Sequence, residues 1–360
     1  MSRPDGKQVM IEPEANGSGR MDFIRRRKAV NVSQGNLVTI DRLLPDTTLP
    51  LVVRPTTEMV NLMAWASRNR KLIEERLLHA GALLFRDFEV RTPYQFEQFI
   101  ESLSADLLEY SYRSTPRSHV SGRIYTSTEY PADQTIPLHN EMAYSANWPM
   151  KIWFFCAIPA ERGGETPIAD SRRVFSRVDP EVRENFARRG VMYVRNYGAR
   201  LDLSWQSVFQ TSDRFEVEAF CRQSSIDFEW KGEGRLRTRQ VCQATATHPR
   251  TREQVWFNQA HLFHVSSLET TVRETLLSLA GEEDLPRNAY YGDGTPIEPS
   301  VLDHIREVYR QEEVVFPWQE GDVLMLDNML TAHGRRPFSG PRKILVGMAE
   351  SFRLEKSNVR

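Results

Sequence analysis

Short apolar runs, each closed by a turn-forming residue, recur through much of this 360-residue chain. They are rich in β-branched and aromatic residues and have the length of strands, as in residues 151–158, 191–197, 323–327 and 344–352. Such strands must bury at least one face, and helical patterns occur on either side of them. The sequence therefore predicts an α+β protein with a β-sandwich core and a helical cover.

Helical patterns cluster near the two ends of the chain, with one more between the central strands. Residues 57–80 carry apolar side chains at helical spacing and end at Gly81, while residues 92–103 begin with a threonine cap followed by a proline. The pattern over residues 201–221 is expected to be a helical insertion. The remaining two amphipathic patterns cover residues 268–279 and 299–311.

Composition excludes several classes of protein. The chain has 47 lysines and arginines against 48 acidic residues, so it has no charge field for nucleic acid. Its three cysteines form no C-x-x-C pair, which favours a reducing compartment. No apolar run approaches the roughly 20 residues of a membrane span, and no signal-peptide pattern is present. We therefore expect a cytoplasmic protein without a membrane or nucleic-acid partner.

The first 45 residues differ in composition from the rest. Residues 1–45 are polar and contain glycine, serine and asparagine, which is typical of a flexible segment. They include a basic run at residues 25–28, which is either solvated or in contact with an acidic partner protein. Residues 46–360 are expected to form a single domain.

Two histidines and a glutamate form the pattern with the clearest chemistry. His139 and Glu141 are two residues apart, so on extended backbone their side chains face the same point. His333 follows a strand-like run and a short turn, and it would complete a facial triad that suits Fe(II) and leaves three coordination positions open. An H-x-E triplet also occurs by chance, so a surface or core pair is the alternative.

Several motifs, spread over about residues 50–353, resemble those of the TauD/TfdA family of Fe(II)- and 2-oxoglutarate-dependent dioxygenases. These motifs are His139-Asn140-Glu141, Gly163-Gly164-Glu165-Thr166, Gly321-Asp322, Asp327-Asn328, His333-Gly334-Arg335 and Pro341-Arg342-Lys343, with residues 81–86 as an early strand. The runs that resemble the branch with the syringomycin-pathway aspartyl hydroxylase are residues 256–264, 290–294 and 325–328.

The resemblance implies a double-stranded β-helix, or jelly roll, with flanking helices and one TauD-like dioxygenase domain over residues 46–360. It also implies that His139, Glu141 and His333 hold Fe(II), with 2-oxoglutarate and O2 as cosubstrates. Halogenases with related chemistry have a small residue in place of the carboxylate ligand, so Glu141 favours hydroxylation or desaturation over halogenation.

For the far carboxylate of 2-oxoglutarate, the resemblance implies Thr166 and a cation. Arg342 is the first candidate, because an arginine can bind a carboxylate through two parallel hydrogen bonds. Lys343 remains open, because a shift of one residue in the strand would exchange the two. Relatives with a second arginine four residues further on use it for an anionic group of the substrate. Val346 and Gly347 stand there in this chain, so that contact is missing.

Four more polar residues are expected near the site. Asp327 and Asn328 are predicted to hydrogen-bond the loop that carries His333 and so to orient this ligand. Asn258 and His261 are candidates for the substrate pocket or for support of the metal ligands. The isolated His248 is expected at the surface or at a helix end.

The expected activity is hydroxylation of an unactivated C–H bond, at the β-carbon of an amino acid, in the synthesis of a non-ribosomal peptide or similar antibiotic-like product. The amino acid is either free or attached to a peptidyl carrier protein, which would meet a basic surface such as Arg235, Arg237 and Arg239. The alternatives are a desaturase or other C–H oxidation, a non-catalytic jelly-roll binding protein and a zinc hydrolase.

Overall fold

The computed structural model describes residues 37–108, 118–128, 130–198 and 203–354. Within these ranges the strands form one sheet of eight strands, one of four, one of three and two of two. Numbered in chain order, the strands are β1 (Val38–Leu44), β2 (Thr47–Pro55), β3 (Ala82–Phe85), β4 (His119–Ser121), β5 (Ile124–Thr126), β6 (Ile136–His139), β7 (Asn147–Ile158), β8 (Arg162–Gly163), β9 (Ile168–Asp170), β10 (Val191–Tyr197), β11 (Asp227–Lys231), β12 (Arg235–Cys242), β13 (Thr245–Thr247), β14 (Gln254–Trp256), β15 (Arg287–Tyr291), β16 (Val323–Asp327), β17 (Thr331–Arg335), β18 (Phe338–Ser339) and β19 (Lys343–Arg353).

Helices cover one face of the large sheet and surround the four-stranded sheet. Among the described residues, no helix has the length and apolar character that a membrane span would require. The helices are α1 (Leu62–Arg68), α2 (Arg70–Ala80), α3 (Pro93–Leu103), α4 (Ser171–Arg177), α5 (Pro180–Arg189), α6 (Trp205–Phe209), α7 (Arg214–Gln223), α8 (Ala260–Phe263), α9 (Thr270–Ala280) and α10 (Pro299–Glu312).

The large sheet has the strand order β1-β2-β3-β16-β7-β19-β5-β4 and is antiparallel except between β2 and β3. Successive side chains of a strand point to opposite faces. In β7, Trp153 and Phe155 therefore pack under α1, α2 and α3, while Ile152 and Phe154 face the opposite way. Both faces of the central strands are buried, which explains why their sequences are apolar without a break.

A three-stranded sheet with the order β6-β17-β9 lies against the second face of the large sheet. Ile168 of β9 belongs to the same apolar cluster as Phe154 of β7. The ring centroids of Phe154 and His333, which is in β17, are 5.0 Å apart. The chain therefore mixes helices with a large sheet, as predicted, and a second sheet faces it.

Helix boundaries agree with the sequence patterns in most places. Thr92 and Gln95 form a reciprocal capping box at the start of α3, and Gly81 ends α2 in the left-handed conformation. The single helix predicted over residues 57–80 is wrong, because Asn69 ends α1 and its side chain donates to the Trp65 carbonyl. The predicted insertion contains α6 and α7, which are separated by a left-handed Gln210.

Strand β1 lies inside the segment that was expected to be flexible. It pairs with β2 from Val38 to Leu44, so the ordered part of the chain begins before residue 46. The basic run at residues 25–28 lies outside the described residues.

A buried ion pair joins the end of β3 to the turn before β16. The Arg86 guanidinium donates to both carboxylate oxygens of Asp322, with distances of 3.0 Å from Nε and 2.6 Å from Nη2. Nη2 also donates to the Pro317 carbonyl, and Asp322 accepts the backbone N–H of Gln319. Both side chains are buried. Because a buried charge without its partner is costly, each residue of this pair depends on the other.

We predict that Asp322→Ala lowers the free energy of unfolding by about 3–5 kcal/mol, because it leaves the Arg86 charge buried and unpaired. Urea unfolding followed by circular dichroism measures this change. The control is Glu89→Ala, which removes an exposed partner of Arg91 and should cost less than about 1 kcal/mol. Equal losses in the two variants would contradict the prediction.

Candidate active site

Strand pairing brings the two predicted histidines together. His139 is the last residue of β6, and it lies directly opposite His333 of β17, with 4.6 Å between their ring centroids. His333 lies in the middle of β17, which follows β16 and a short turn. Gly334 permits the close approach of the two strands, because a Cβ there would lie 2.6 Å from the Ile136 carbonyl oxygen.

Glu141 joins the two histidines from the turn after β6. Its Oε2 is 3.7 Å from Nε2 of His333, and one ligand atom from each of the three residues lies within 4.8 Å of the others. The Pro137 carbonyl accepts a hydrogen bond from Nδ1 of His139 at 2.8 Å, which leaves Nε2 of this ring for a metal. Two imidazoles and one carboxylate around one point fit Fe(II).

Asn328 fixes the backbone of Glu141. Its Oδ1 accepts the Glu141 N–H at 2.7 Å, and its Nδ2 donates to the carbonyls of Glu141 and Pro149 at 2.9 and 2.8 Å. Asn328 was predicted to hydrogen-bond the loop before His333. Its side chain instead hydrogen-bonds the backbone of Glu141, the carboxylate ligand. Because Asn328 directly follows β16, it connects the large sheet to the site.

Asp327 does organise the loop that leads to His333, as predicted. Its Oδ1 accepts the backbone N–H groups of Met329 and Leu330, both at 3.0 Å. Its Oδ2 lies 3.1 Å from Nε2 of His248, which is fully buried. The expectation that His248 lies at the surface is therefore wrong. An isolated histidine carries no signal in the sequence that would reveal this partner.

His261 and Asn258 support the backbone around the site. Nε2 of His261 donates to the Leu138 carbonyl at 2.9 Å, next to His139, and burial lowers the pKa of His261 to about 3. The Asn258 side chain donates to the Ala244 carbonyl and accepts the Ala260 N–H. Neither side chain lines the pocket beside His139 and His333.

One pocket is lined by the two histidines and by Thr166 and Arg342, two of the three residues predicted for 2-oxoglutarate. Thr166 is buried and accepts a hydrogen bond from the indole N–H of Trp318 at 3.1 Å. Arg342 donates from Nε to the Gly164 carbonyl at 2.8 Å, and burial lowers its pKa to about 10, so it stays charged at neutral pH.

Lys343 is exposed and does not line this pocket. A hydroxyl and a guanidinium in the same pocket as the metal ligands suit a dicarboxylate that chelates the metal at one end. We therefore propose Arg342 rather than Lys343 for this contact.

The basic surface suggested for a carrier protein is not formed as expected. Arg237 is buried, and it donates to Asn196 and to Asp284 at 2.8 Å each. Arg239 is half-buried and lies 3.8 Å from a carboxylate oxygen of Glu229. Because Arg237 already has an acidic partner, it is not available to an acidic protein.

The comparisons with known proteins agree with this geometry. The chain matches the family described as taurine catabolism dioxygenase TauD, TfdA family, over residues 47–349, and it belongs to that family. It is 47% identical to the dapdiamide synthesis protein DdaC of Enterobacter agglomerans over 278 residues. This aligned region covers 77% of this chain and 84% of DdaC. It is 32% identical to a clavaminate synthase-like protein of Arabidopsis thaliana over 323 residues. This aligned region covers 84% of this chain and 93% of the relative.

Solved structures share the fold at low sequence identity. PvcB of Pseudomonas aeruginosa has a TM-score of 0.52 at 14% identity, over 87% of this chain and 91% of that one. AAD-2, solved with Mn(II) and N-oxalylglycine, has a TM-score of 0.50 at 15% identity, over 87% and 96%. The predicted enzyme class, a dioxygenase that uses Fe(II), 2-oxoglutarate and O2, is confirmed by the family.

We predict that Arg342→Ala raises the dissociation constant of 2-oxoglutarate at least about tenfold, because a hydrogen bond to a charged group contributes about 1.5–3 kcal/mol. Calorimetry with the Mn(II)-loaded protein measures this constant without turnover. Lys343→Ala is the matched control and should leave it within about twofold. A larger effect for Lys343→Ala would reverse the assignment.

We also predict that Asn328→Ala weakens metal binding by roughly 10–100-fold, since it releases the backbone of Glu141. Equilibrium dialysis against Mn(II) measures the affinity, and thermal unfolding checks the fold. Asn185→Ala is the control, because that side chain accepts a hydrogen bond from Arg188 on its own helix α5. Unchanged Mn(II) affinity in folded Asn328→Ala would refute this role.

Proposed function

We propose that this dioxygenase hydroxylates an unactivated C–H bond, at the β-carbon of an amino acid, during the synthesis of a peptide natural product. The observation that carries the proposal is the single pocket that gathers His139, His333, Thr166 and Arg342 beside Glu141. The relative DdaC, named for dapdiamide synthesis, supports a biosynthetic role. The amino acid is either free or attached to a carrier protein.

In this proposal each group of residues has one task. His139, Glu141 and His333 would hold Fe(II), which would supply the oxidising chemistry with O2, while 2-oxoglutarate is converted to succinate and CO2. Thr166 and Arg342 orient the far carboxylate of 2-oxoglutarate. Phe154 belongs to the apolar wall of the pocket and excludes water beside the ligands. The two facing sheets are the halves of the double-stranded β-helix.

Two residues favour hydroxylation of a substrate without a strong anionic anchor. Glu141 occupies the position of the carboxylate ligand, where a small residue would leave space for a halide. Val346, four residues beyond Arg342, is fully buried in the apolar face of the large sheet, so it offers no cation to a substrate. Desaturation of the same substrate is the alternative that uses the same groups.

We predict that the protein, supplied with Fe(II), ascorbate, 2-oxoglutarate and O2, adds one oxygen atom to an amino acid and forms succinate. Intact mass spectrometry of free amino acids, beside the same amino acids loaded on a carrier protein, measures this. Oxygen on the free amino acid identifies a small-molecule hydroxylase, and oxygen only on the loaded carrier identifies a protein-bound substrate. Loss of two hydrogens would instead establish the desaturase.

Variants of the ligands test whether the site produces the signal. His139→Ala and Glu141→Ala should abolish succinate formation with the fold intact, because a ligand is missing. His79→Ala, at an exposed position of α2, is the control. Substantial succinate formation in both ligand variants would refute the site.

A further inference from the structure

A second arginine, Arg335, lines the same pocket as Arg342 and is not one of the residues proposed above to bind the metal or the cosubstrate. Arg335 follows His333 by two residues on β17, so its side chain lies on the same side of the strand. It is 5% exposed and lines the pocket together with Thr166 and Arg342. The guanidinium groups of Arg335 and Arg342 lie 5.2 and 5.3 Å from the ring centroid of Phe338, so both cations adjoin one side chain.

The terminal nitrogens of Arg335 hold the segment 130–135, which leads into β6 and His139. Nη1 donates to the Tyr130 carbonyl at 2.8 Å, and Nη2 donates to the carbonyls of Pro131 and Gln134 at 2.5 and 2.8 Å. Residues 131–135 are otherwise exposed. Arg335 is therefore a main attachment of this segment to the strand that carries His333.

The remaining nitrogen of Arg335, Nε, is buried and has no hydrogen-bond partner in the part of the chain that the structure describes. The three hydrogen bonds of Arg335 go to neutral carbonyls, and it forms no ion pair with a carboxylate within the described ranges. Since a buried charge without an opposite charge is costly, this position favours an anion from outside the chain.

We propose that Arg335 is a second contact for the far carboxylate of 2-oxoglutarate, made through Nε–H, and that it links cosubstrate binding to the 130–135 segment. The inference rests on the proposed use of Thr166 and Arg342 as the cosubstrate site. One guanidinium then binds the carboxylate and the segment together, so each contact stabilises the other. Arg335 is in this way a binding residue for the cosubstrate as well as an anchor for the chain.

Hydrogen–deuterium exchange on the unaltered, Mn(II)-loaded protein tests the link. We expect 2-oxoglutarate to slow exchange at least about tenfold in a peptide that covers residues 130–136, because the shared guanidinium couples the two contacts. The comparison ligand is 2-oxobutyrate, which has the chelating end but lacks the far carboxylate, and it should leave this exchange unchanged at saturation. Equal protection by both ligands, or protection by neither, would overturn the proposal.

The variant Arg335→Lys tests the contact itself, since lysine keeps the charge but has no Nε–H at that position. Calorimetry should show a dissociation constant for 2-oxoglutarate at least about tenfold higher. Arg336→Lys is the matched control, because the neighbouring Arg336 is exposed and pairs with Glu313. An unchanged constant in folded Arg335→Lys would overturn the proposal.

A wrong assignment of the cosubstrate site would give a different result from a wrong inference about Arg335. If the unaltered protein and Arg342→Ala bind 2-oxoglutarate equally, the assignment of the pocket is wrong, and the inference about Arg335 is overturned with it. If Arg342→Ala weakens binding and Arg335→Lys does not, only the inference about Arg335 fails.

Discussion

The antiparallel pairing of β6 with β17 sets the distance between the two histidines of the site. His139 and His333 are opposite one another across these strands, and Gly334 removes the side chain that would keep the strands apart. Glu141 then needs only the turn after β6 to reach His333. Because backbone hydrogen bonds fix the two strands, the sheet positions both histidines, whereas the side chain of Asn328 positions the backbone of Glu141.

The parts of the site that could be predicted from the sequence are those carried by short motifs. His139 and Glu141 share one motif, and Thr166 and Arg342 lie in two further motifs that resemble the family. The choice between Arg342 and Lys343 could not be made, since the register of β19 shifts between Lys343 and Ile344. Such an irregularity changes which side chain faces the pocket, and no local pattern reveals it.

In the fold, too, local patterns could be predicted from the sequence and contacts between distant residues could not. Short apolar runs predicted the central strands and helical periodicity predicted most helices, because burial of both faces or of one face leaves these patterns in the sequence. Contacts between distant residues were missed, such as those of Asn328 with Glu141 and of Asp327 with His248. The hydrogen-bond partner of a buried polar side chain is decided when strands meet in space, and its sequence neighbours are not informative.

The strand order of the large sheet has a consequence for synthesis on the ribosome. The central strand β7 is flanked by β16 and β19, and residues 159–322 separate it from the nearer of the two along the chain. β16 also separates β7 from β3, and β19 separates it from β5. A nascent chain therefore carries three groups of strands that cannot join until β16 and β19 emerge. During that interval β7 offers two unpaired edges to chaperones or to other nascent chains.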